Sequence, residues 1–305
     1  MALPRVVSLL PSATEIAVEL GVGERLVGRS HECDFPPWVA RLPVCTSTKL
    51  EKGLDSRAIE DRVRAIVTAG LSVYDVDADL LRSLEPDVIL TQSQCAICAV
   101  TPADLEDALN AWVGTRPVLV STAPDDLSDV FRDFATVGAA IGEEQAAEAL
   151  IRRSMEGLAE LAAPVPQDPP VRMLAIEWID PLMVAGNWVP ELIAAAGVES
   201  LLANPGVHSH AIDTEAAYSS DPDIIVMMPC GYRIEQTLAE SRPLLQREPW
   251  RSMRAVREGR AFAVDGHHLF NRPGPRLLQS ARLLAALLRQ PENMPEWASG
   301  LYERI

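Results

Sequence analysis

The chain has 305 residues, of which 48 % are hydrophobic and 23 % charged, the make-up of an ordinary globular protein. Its net charge of −16 excludes a nucleic-acid footprint and disfavours an anionic membrane surface. No stretch is long and apolar enough to span a bilayer, and five Cys at this length do not make a disulfide scaffold.

Arg5–Leu10 reads as a short buried strand: Val6, Val7, Leu9 and Leu10 form an apolar run that Pro11 and Ser12 stop. Ser12-Ala13-Thr14-Glu15 matches a Ser-x-x-Glu capping box and opens a helix predicted over Ser12–Leu20. A helix start so placed aims free N–H groups beyond the strand end. The N-terminus lacks a charged region, an apolar region and a cleavage site in succession, so the chain as written is expected in the cytoplasm. A longer true N-terminus would make it extracytoplasmic. Arg25–Gly28 is a predicted strand, followed by a Pro-rich turn at Cys33–Pro37. Ser56–Ala69 is a predicted helix with Ile59, Val63, Ile66 and Val67 on one stripe. Ala78–Ser83 is a short helix, Pro86–Leu90 a buried strand, Pro102–Trp112 a helix and Val118–Val120 a strand. Strands alternating with helices imply parallel βαβ units.

Asp126–Ile141 and Glu143–Leu161 are then helical without an intervening strand, and Ala162–Pro170 ends them. The second half repeats the plan. Val171–Trp178 is a strand, Val189–Ala196 and Thr214–Ser219 are helices, and Pro222–Met228 is a strand. Ile234–Leu238 and Pro249–Arg254 are helical, Ala261–Val264 is a strand, and Pro275–Arg289 closes the chain as a helix. Leu84-Glu85-Pro86-Asp87-Val88-Ile89-Leu90 corresponds to Ser220-Asp221-Pro222-Asp223-Ile224-Ile225-Val226, each following a short helix. The expected fold is α/β: two Rossmann-like βα lobes joined by a single long backbone helix, with a ligand cleft between them. The lobes are expected over residues 1–141 and 171–305, and the connecting helix over 142–165.

Ligands of open α/β sheets sit beyond the carboxyl ends of the strands. In the first lobe those turns are Pro11-Ser12, Ser30–Pro36, Cys45–Thr48 and Gln92–Cys98. In the second they are Glu177-Trp178, Gly186-Asn187-Trp188, Cys230-Gly231-Tyr232 and Gly266–Pro273. All five Cys fall in these turns, as do three of the five His. Functional groups concentrate on loops held by a rigid scaffold. No nucleophile elbow or Walker A loop is present, and His31 with Glu32 and Asp34 lacks a nucleophile, so an enzyme is not expected.

The motifs Ser8-Leu9-Leu10-Pro11-Ser12-Ala13-Thr14-Glu15, Ser30-His31-Glu32-Cys33-Asp34-Phe35-Pro36 and Gln92-Ser93-Gln94-Cys95 carry a specific likeness. So do Gly186-Asn187-Trp188-Val189-Pro190-Glu191 and Arg272-Pro273-Gly274-Pro275-Arg276. Through them nearly the whole chain resembles the cobalamin (vitamin B12) binding branch of the helical-backbone ABC-importer substrate-binding proteins. The resemblance implies two rigid lobes, a corrinoid between them and a long helix as spine. It also implies docking to an ABC permease through one exposed carboxylate on each lobe, at Asp79 and Glu215. Members serving importers are secreted or lipid-anchored, a feature this sequence does not display.

The chemistry of a corrinoid, a flat apolar ring fringed with amides, fits these turns independently. Trp178, Trp188 and Phe270 offer broad apolar faces, or else pack the interior. Ser12, Thr46, Ser47, Gln92 and Gln94 offer groups for the fringe amides, and Pro11, Asp34, Phe35, His267, His268 and Arg272 complete the candidate ligand-binding set. His267 or His268 can supply an axial imidazole to cobalt or haem iron, or simply line the cleft polar. Cys95-x-x-Cys98 with Cys33 has three readings: ligands for a metal ion or Fe–S cluster, a redox pair, or soft side chains without special chemistry. A cytoplasmic metal, Fe–S or haem protein using Cys33, Cys95, Cys98 and a cleft His is therefore the competing expectation.

Overall fold

Val6, Val7 and Ser8 are wholly buried and form β1 (Val6–Ser8), the strand on which the first half is built. The computed structural model describes residues 3–69, 71–93, 100–105, 116–162 and 170–305. Helix α1 (Pro11–Glu19) follows directly. It does not begin with the expected capping box. Leu10, in extended conformation, is the N-cap and makes no side-chain bond, and Pro11 occupies the first turn, where its missing N–H costs nothing. Ser12 thus lies one position too far into the helix to cap it. Thr14 turns inward instead, its hydroxyl 2.8 Å from Ser8 Oγ.

The first half continues with β2 (Leu26–Arg29), β3 (Thr46–Thr48), α2 (Ser56–Thr68), β4 (Tyr74–Val76), α3 (Ala78–Ser83), β5 (Val88–Gln92) and β6 (Val118–Thr122). Strands β2, β1, β5 and β6 form an all-parallel sheet in that order, with Val7 opposite Ile89 and Leu90 opposite Val120. Its strands are buried apolar runs, as parallel sheets covered on both faces require. Val7, Leu9, Leu81, Ile89 and Leu105 make one core cluster of this half. The pair β3–β4, antiparallel, is read from the sequence only as a turn, because Thr46-Ser47-Thr48 carries no apolar alternation. Of the helix expected over Pro102–Trp112, a short 3-10 turn at Ala103–Leu105 is seen; residues 106–112 lie outside the described residues.

Two helices come next, α4 (Leu127–Ile141) and α5 (Glu144–Ala162), separated at Gly142, whose φ of +76° ends α4 at no steric cost. The second half comprises β7 (Arg172–Trp178), β8 (Met183–Val184), α6 (Val189–Ala195), β9 (Glu199–Ser200), β10 (His210–Ala211), α7 (Thr214–Ser219), β11 (Ile224–Met227), α8 (Ile234–Leu245), α9 (Arg254–Arg257), β12 (Ala261–Val264), α10 (Leu277–Arg289) and β13 (Tyr302–Arg304). The sheet order is β10-β8-β7-β11-β12-β13, with β9 also on β7. Its centre, β7-β11-β12, is parallel; β8 and β13 flank it antiparallel. Leu174, Ile176, Ile225, Met227 and Trp250 fill its core. Helix α8 runs through Pro243, beyond the expected end at Leu238.

The chain divides into two units. Met1–Leu54, Asp61–Pro124 and Ser128–Arg153 make the first; Asp55–Glu60, Asp125–Leu127 and Ser154–Ile305 make the second. The two share a local design down to single atoms. Asp77 and Asp213 cap α3 and α7, accepting from Leu80 N at 2.9 Å and Ala216 N at 2.6 Å. Glu85 and Asp221 follow those helices with φ of +43° and +42°, unusual for non-glycine residues. Asp87 then accepts from Arg5 N at 2.7 Å, and Asp223 from Arg172 N at 2.8 Å. In each unit a carboxylate thereby fixes the entry of the first strand beside the Pro-Asp strand.

Candidate functional site

In the second unit the turns after β7, β11 and β12 are bound to one another. Cys230 N donates to Glu177 O at 3.0 Å, and His267 N donates to Tyr232 O at 2.9 Å. Asn271 Nδ2 reaches Met228 O at 3.0 Å and Gly266 O at 3.1 Å. Gly266 is required there, since a Cβ would collide with Pro229 O and lie 2.9 Å from Met228 O. The rings of Trp178 and Tyr232 pack at 5.5 Å between centroids, tilted by 59°. Trp178 is half-buried, and its indole N–H has no hydrogen-bond partner. Burial pushes the Tyr232 phenol well above its usual range, and its bond to Glu240 adds to the effect; the group stays a hydroxyl and donates to Glu240 Oε1 at 2.8 Å.

The two adjacent histidines have different settings. Arg272 Nη2 lies 2.9 Å from His267 Nε2. A guanidinium can only donate, so that nitrogen accepts and the neutral ring carries its proton on Nδ1. His268 Nδ1 faces Asp265 Oδ2 at 3.0 Å, and His268 N donates to Asp265 Oδ1 at 2.7 Å. Burial tends to raise the Asp265 carboxyl, but the bonds from His268 outweigh it and hold the group below its ordinary value.

Trp188 and Phe270 belong to the interior of this unit. Trp188 is 5 % exposed and its indole N–H donates to Phe270 O at 2.7 Å; Phe270 is fully buried with φ of +63°, and its N donates to Ser280 Oγ at 3.0 Å. The two side chains tie the β12 turn to α6 and α10. The Gly186–Trp188 turn is braced by Ser209, whose hydroxyl accepts from Gly186 N and donates to Glu177 Oε2 at 2.9 Å.

In the first unit, Ser12 and Gln92 are buried, Pro11, Asp34 and Phe35 are half-buried, Thr46 is buried and Ser47 exposed. The Ser30–Pro36 turn is organised by Arg29, whose guanidinium donates to Ser30 O at 2.9 Å, Cys33 O at 3.2 Å and Ala40 O at 2.9 Å. His31 Nδ1 lies 2.8 Å from Thr46 Oγ1, joining that turn to β3. The Cys33 thiol is 1 % exposed, 3.1 Å from Thr14 Oγ1 and 3.7 Å from Ser8 O. Gln94, Cys95 and Cys98 lie outside the described residues.

Asp79 and Glu215 occupy equivalent places, each two residues after the capping Asp of α3 or α7, and both are exposed. Asp79 pairs with Arg82, and Glu215 accepts from Ser219 Oγ at 3.1 Å. Sequence reasoning quoted Tyr232 only as part of a turn and passed over Asp265, Glu240 and Ser56. A capping Asp three residues before His268 was the one local signal on offer; the partners of Glu240 are too distant in sequence to be read.

Residues 6–267 match the periplasmic binding protein family. The chain belongs to that family. It is accordingly a binding protein and not an enzyme. Periplasmic binding proteins work outside the cytoplasm, some as lipoproteins. An uncharacterized ABC transporter substrate-binding lipoprotein, YvrC of Bacillus subtilis (strain 168), is 25 % identical over 288 residues, covering 92 % of this chain and 78 % of that one. A cobalamin-binding protein of Halobacterium salinarum is 24 % identical over 285 residues, covering 92 % and 68 %. Among solved structures, a periplasmic heme-binding protein from Pseudomonas aeruginosa covers 99 % of this chain and 98 % of its own, with a TM-score of 0.70 and 22 % identity. That likeness speaks for the fold alone. No described helix is long and apolar enough to cross a membrane.

Proposed function

We propose that this periplasmic binding protein carries a corrinoid of the cobalamin class for ABC-type uptake, outside the cytoplasm. The observation that carries the reading is the cobalamin-binding relative from Halobacterium salinarum, which aligns over 92 % of this chain. The chemistry of the strand-end turns supports it. Trp178 with Tyr232 offers an apolar surface of the kind a corrin ring needs, and Asn271, His267 and Arg272 stand among groups able to meet an amide fringe. In the first unit, Ser12, Thr46, Ser47 and Gln92 offer similar polar groups beside Pro11 and Phe35. Exposed carboxylates at Asp79 and Glu215, alike in local setting, suit recognition by cationic groups of a permease.

The test is a calorimetric titration of the purified chain with cyanocobalamin. Saturable one-to-one binding is expected, and Trp178→Ala should weaken it by about 1–3 kcal/mol if the indole stacks on the ring. No heat and no retained ligand at high micromolar cyanocobalamin would reject the corrinoid reading. Iron, zinc or acid-labile sulfide found in stoichiometric amount in protein that ignores cyanocobalamin would favour the thiol-based alternative through Cys33, Cys95 and Cys98.

A further inference from the structure

We propose that Glu240, on α8, is a positioning residue for the strand-end turns of the second unit: it sets Tyr232 against Trp178 and takes its own bearing from Ser56, the first residue of α2. The consequence for affinity rests on the ligand-binding reading above; the consequence for local order does not.

One carboxylate accepts from three donors. Glu240 Oε1 receives the Tyr232 hydroxyl at 2.8 Å and Ser56 N at 3.1 Å, and Oε2 receives the Ser56 hydroxyl. Bonds to a charged acceptor are stronger than neutral ones, and donors on both oxygens fix the carboxylate's rotation as well as its place. Ser56 is 1 % exposed, so its hydroxyl has little water to turn to. Tyr232 passes the constraint on. Its ring packs on Trp178 of the β7 turn, its carbonyl accepts from His267 N of the β12 turn, and its own N donates to Pro229 O at 3.1 Å. A shift of the phenol therefore strains contacts in all three turns.

The Ser56 end is unusual in chain order. Asp55–Glu60 packs with the second unit, whereas Leu54 before it and Asp61 after it group with the first. Its first turn has two side-chain attachments, Ser56 to Glu240 and Arg57 to Asp180. The second bypasses Glu240 and provides an internal control. Coupling between two sites through one element is reciprocal, so disturbing Ser56 must be felt at Tyr232.

The experiment is hydrogen exchange on the ligand-free full chain, followed by cyanocobalamin titration, for wild type, Ser56→Ala, Glu240→Gln and Arg57→Ala. Exchange at the amides of Tyr232 and His267 is expected to speed up about 5-fold or more in Ser56→Ala and Glu240→Gln, and to stay at the wild-type rate in Arg57→Ala. Cyanocobalamin affinity should fall about 5–10-fold in the first two variants and hold in the third, the scale of losing one charge-assisted bond. Wild-type exchange at Tyr232 and His267 in Ser56→Ala and Glu240→Gln overturns the proposal. So does an equal response in Arg57→Ala, or unchanged affinity in variants whose exchange has responded. If exchange responds as expected but wild type takes up no cyanocobalamin, the positioning role stands and the corrinoid reading fails.

Discussion

At Asp265 two opposing effects act on one carboxyl. Burial disfavours its charge, and the backbone and ring N–H groups of His268 favour it more, leaving it below the ordinary value of 3.8. A group so depressed adds stability that is present above about pH 4 and is lost as pH falls through its folded value. Asp265→Asn should therefore lower the thermal midpoint at pH 7, by about 1–3 kcal/mol of stability, and lower it far less near pH 3. Equal losses at both pH values in paired melts would mean that the charge is not what holds His268. Asp133 on α4 behaves in the opposite sense. Burial, with Asp129 nearby, pushes its carboxyl up to about 7. The folded chain then gives up stability as pH rises from about 4 to 7, because the unfolded carboxyl ionises first. Asp133→Asn should raise the melting midpoint at pH 8, by about 1–3 kcal/mol, and change little at pH 4. A destabilised variant at pH 8 would contradict this.

At the scale of elements, the β12 turn shows how a missing side chain organises a site. Gly266 lets the turn lie against Pro229 O and Met228 O, which allows Asn271 to bridge both turns. Gly266→Ala should disrupt that contact at a cost of about 2–4 kcal/mol, read as a drop in denaturation midpoint, because the obstacle is backbone and cannot rotate away. A variant as stable as wild type would show that the turns are less tightly joined than described. Much of this scale is legible in the sequence. Ala78–Ser83, Thr214–Ser219 and Ala261–Val264 are predicted with the bounds observed, because short apolar runs between Pro, Gly and Asp leave little choice. The repeat around Pro86-Asp87 and Pro222-Asp223 is legible too, but not its purpose. Nothing local says that Asp87 and Asp223 reach Arg5 N and Arg172 N, or that Asp77 and Asp213 cap the helices before them. The strands β3 and β13 escape prediction because their side chains do not alternate cleanly and their stability comes from the neighbour they pair with. The capping box failed because a proline took the first turn one residue early.

At the scale of the whole molecule, periodicity and the doubled Pro-Asp strand announce two α/β units with parallel sheets, and the match over residues 6–267 sets the chain among the periplasmic binding proteins. The candidate site was legible only as a set of turns. Trp178 and Trp188 look alike in sequence, yet one is half-buried beside Tyr232 and the other is an interior residue bonded to Phe270. Only tertiary packing separates them. What the turns hold is decided most directly by competition. The purified chain is incubated with equimolar cyanocobalamin and haemin, filtered free of unbound ligand, and its visible spectrum recorded. The account predicts that the cobalamin bands stay with the protein; a retained haem spectrum, or a colourless protein, would contradict it.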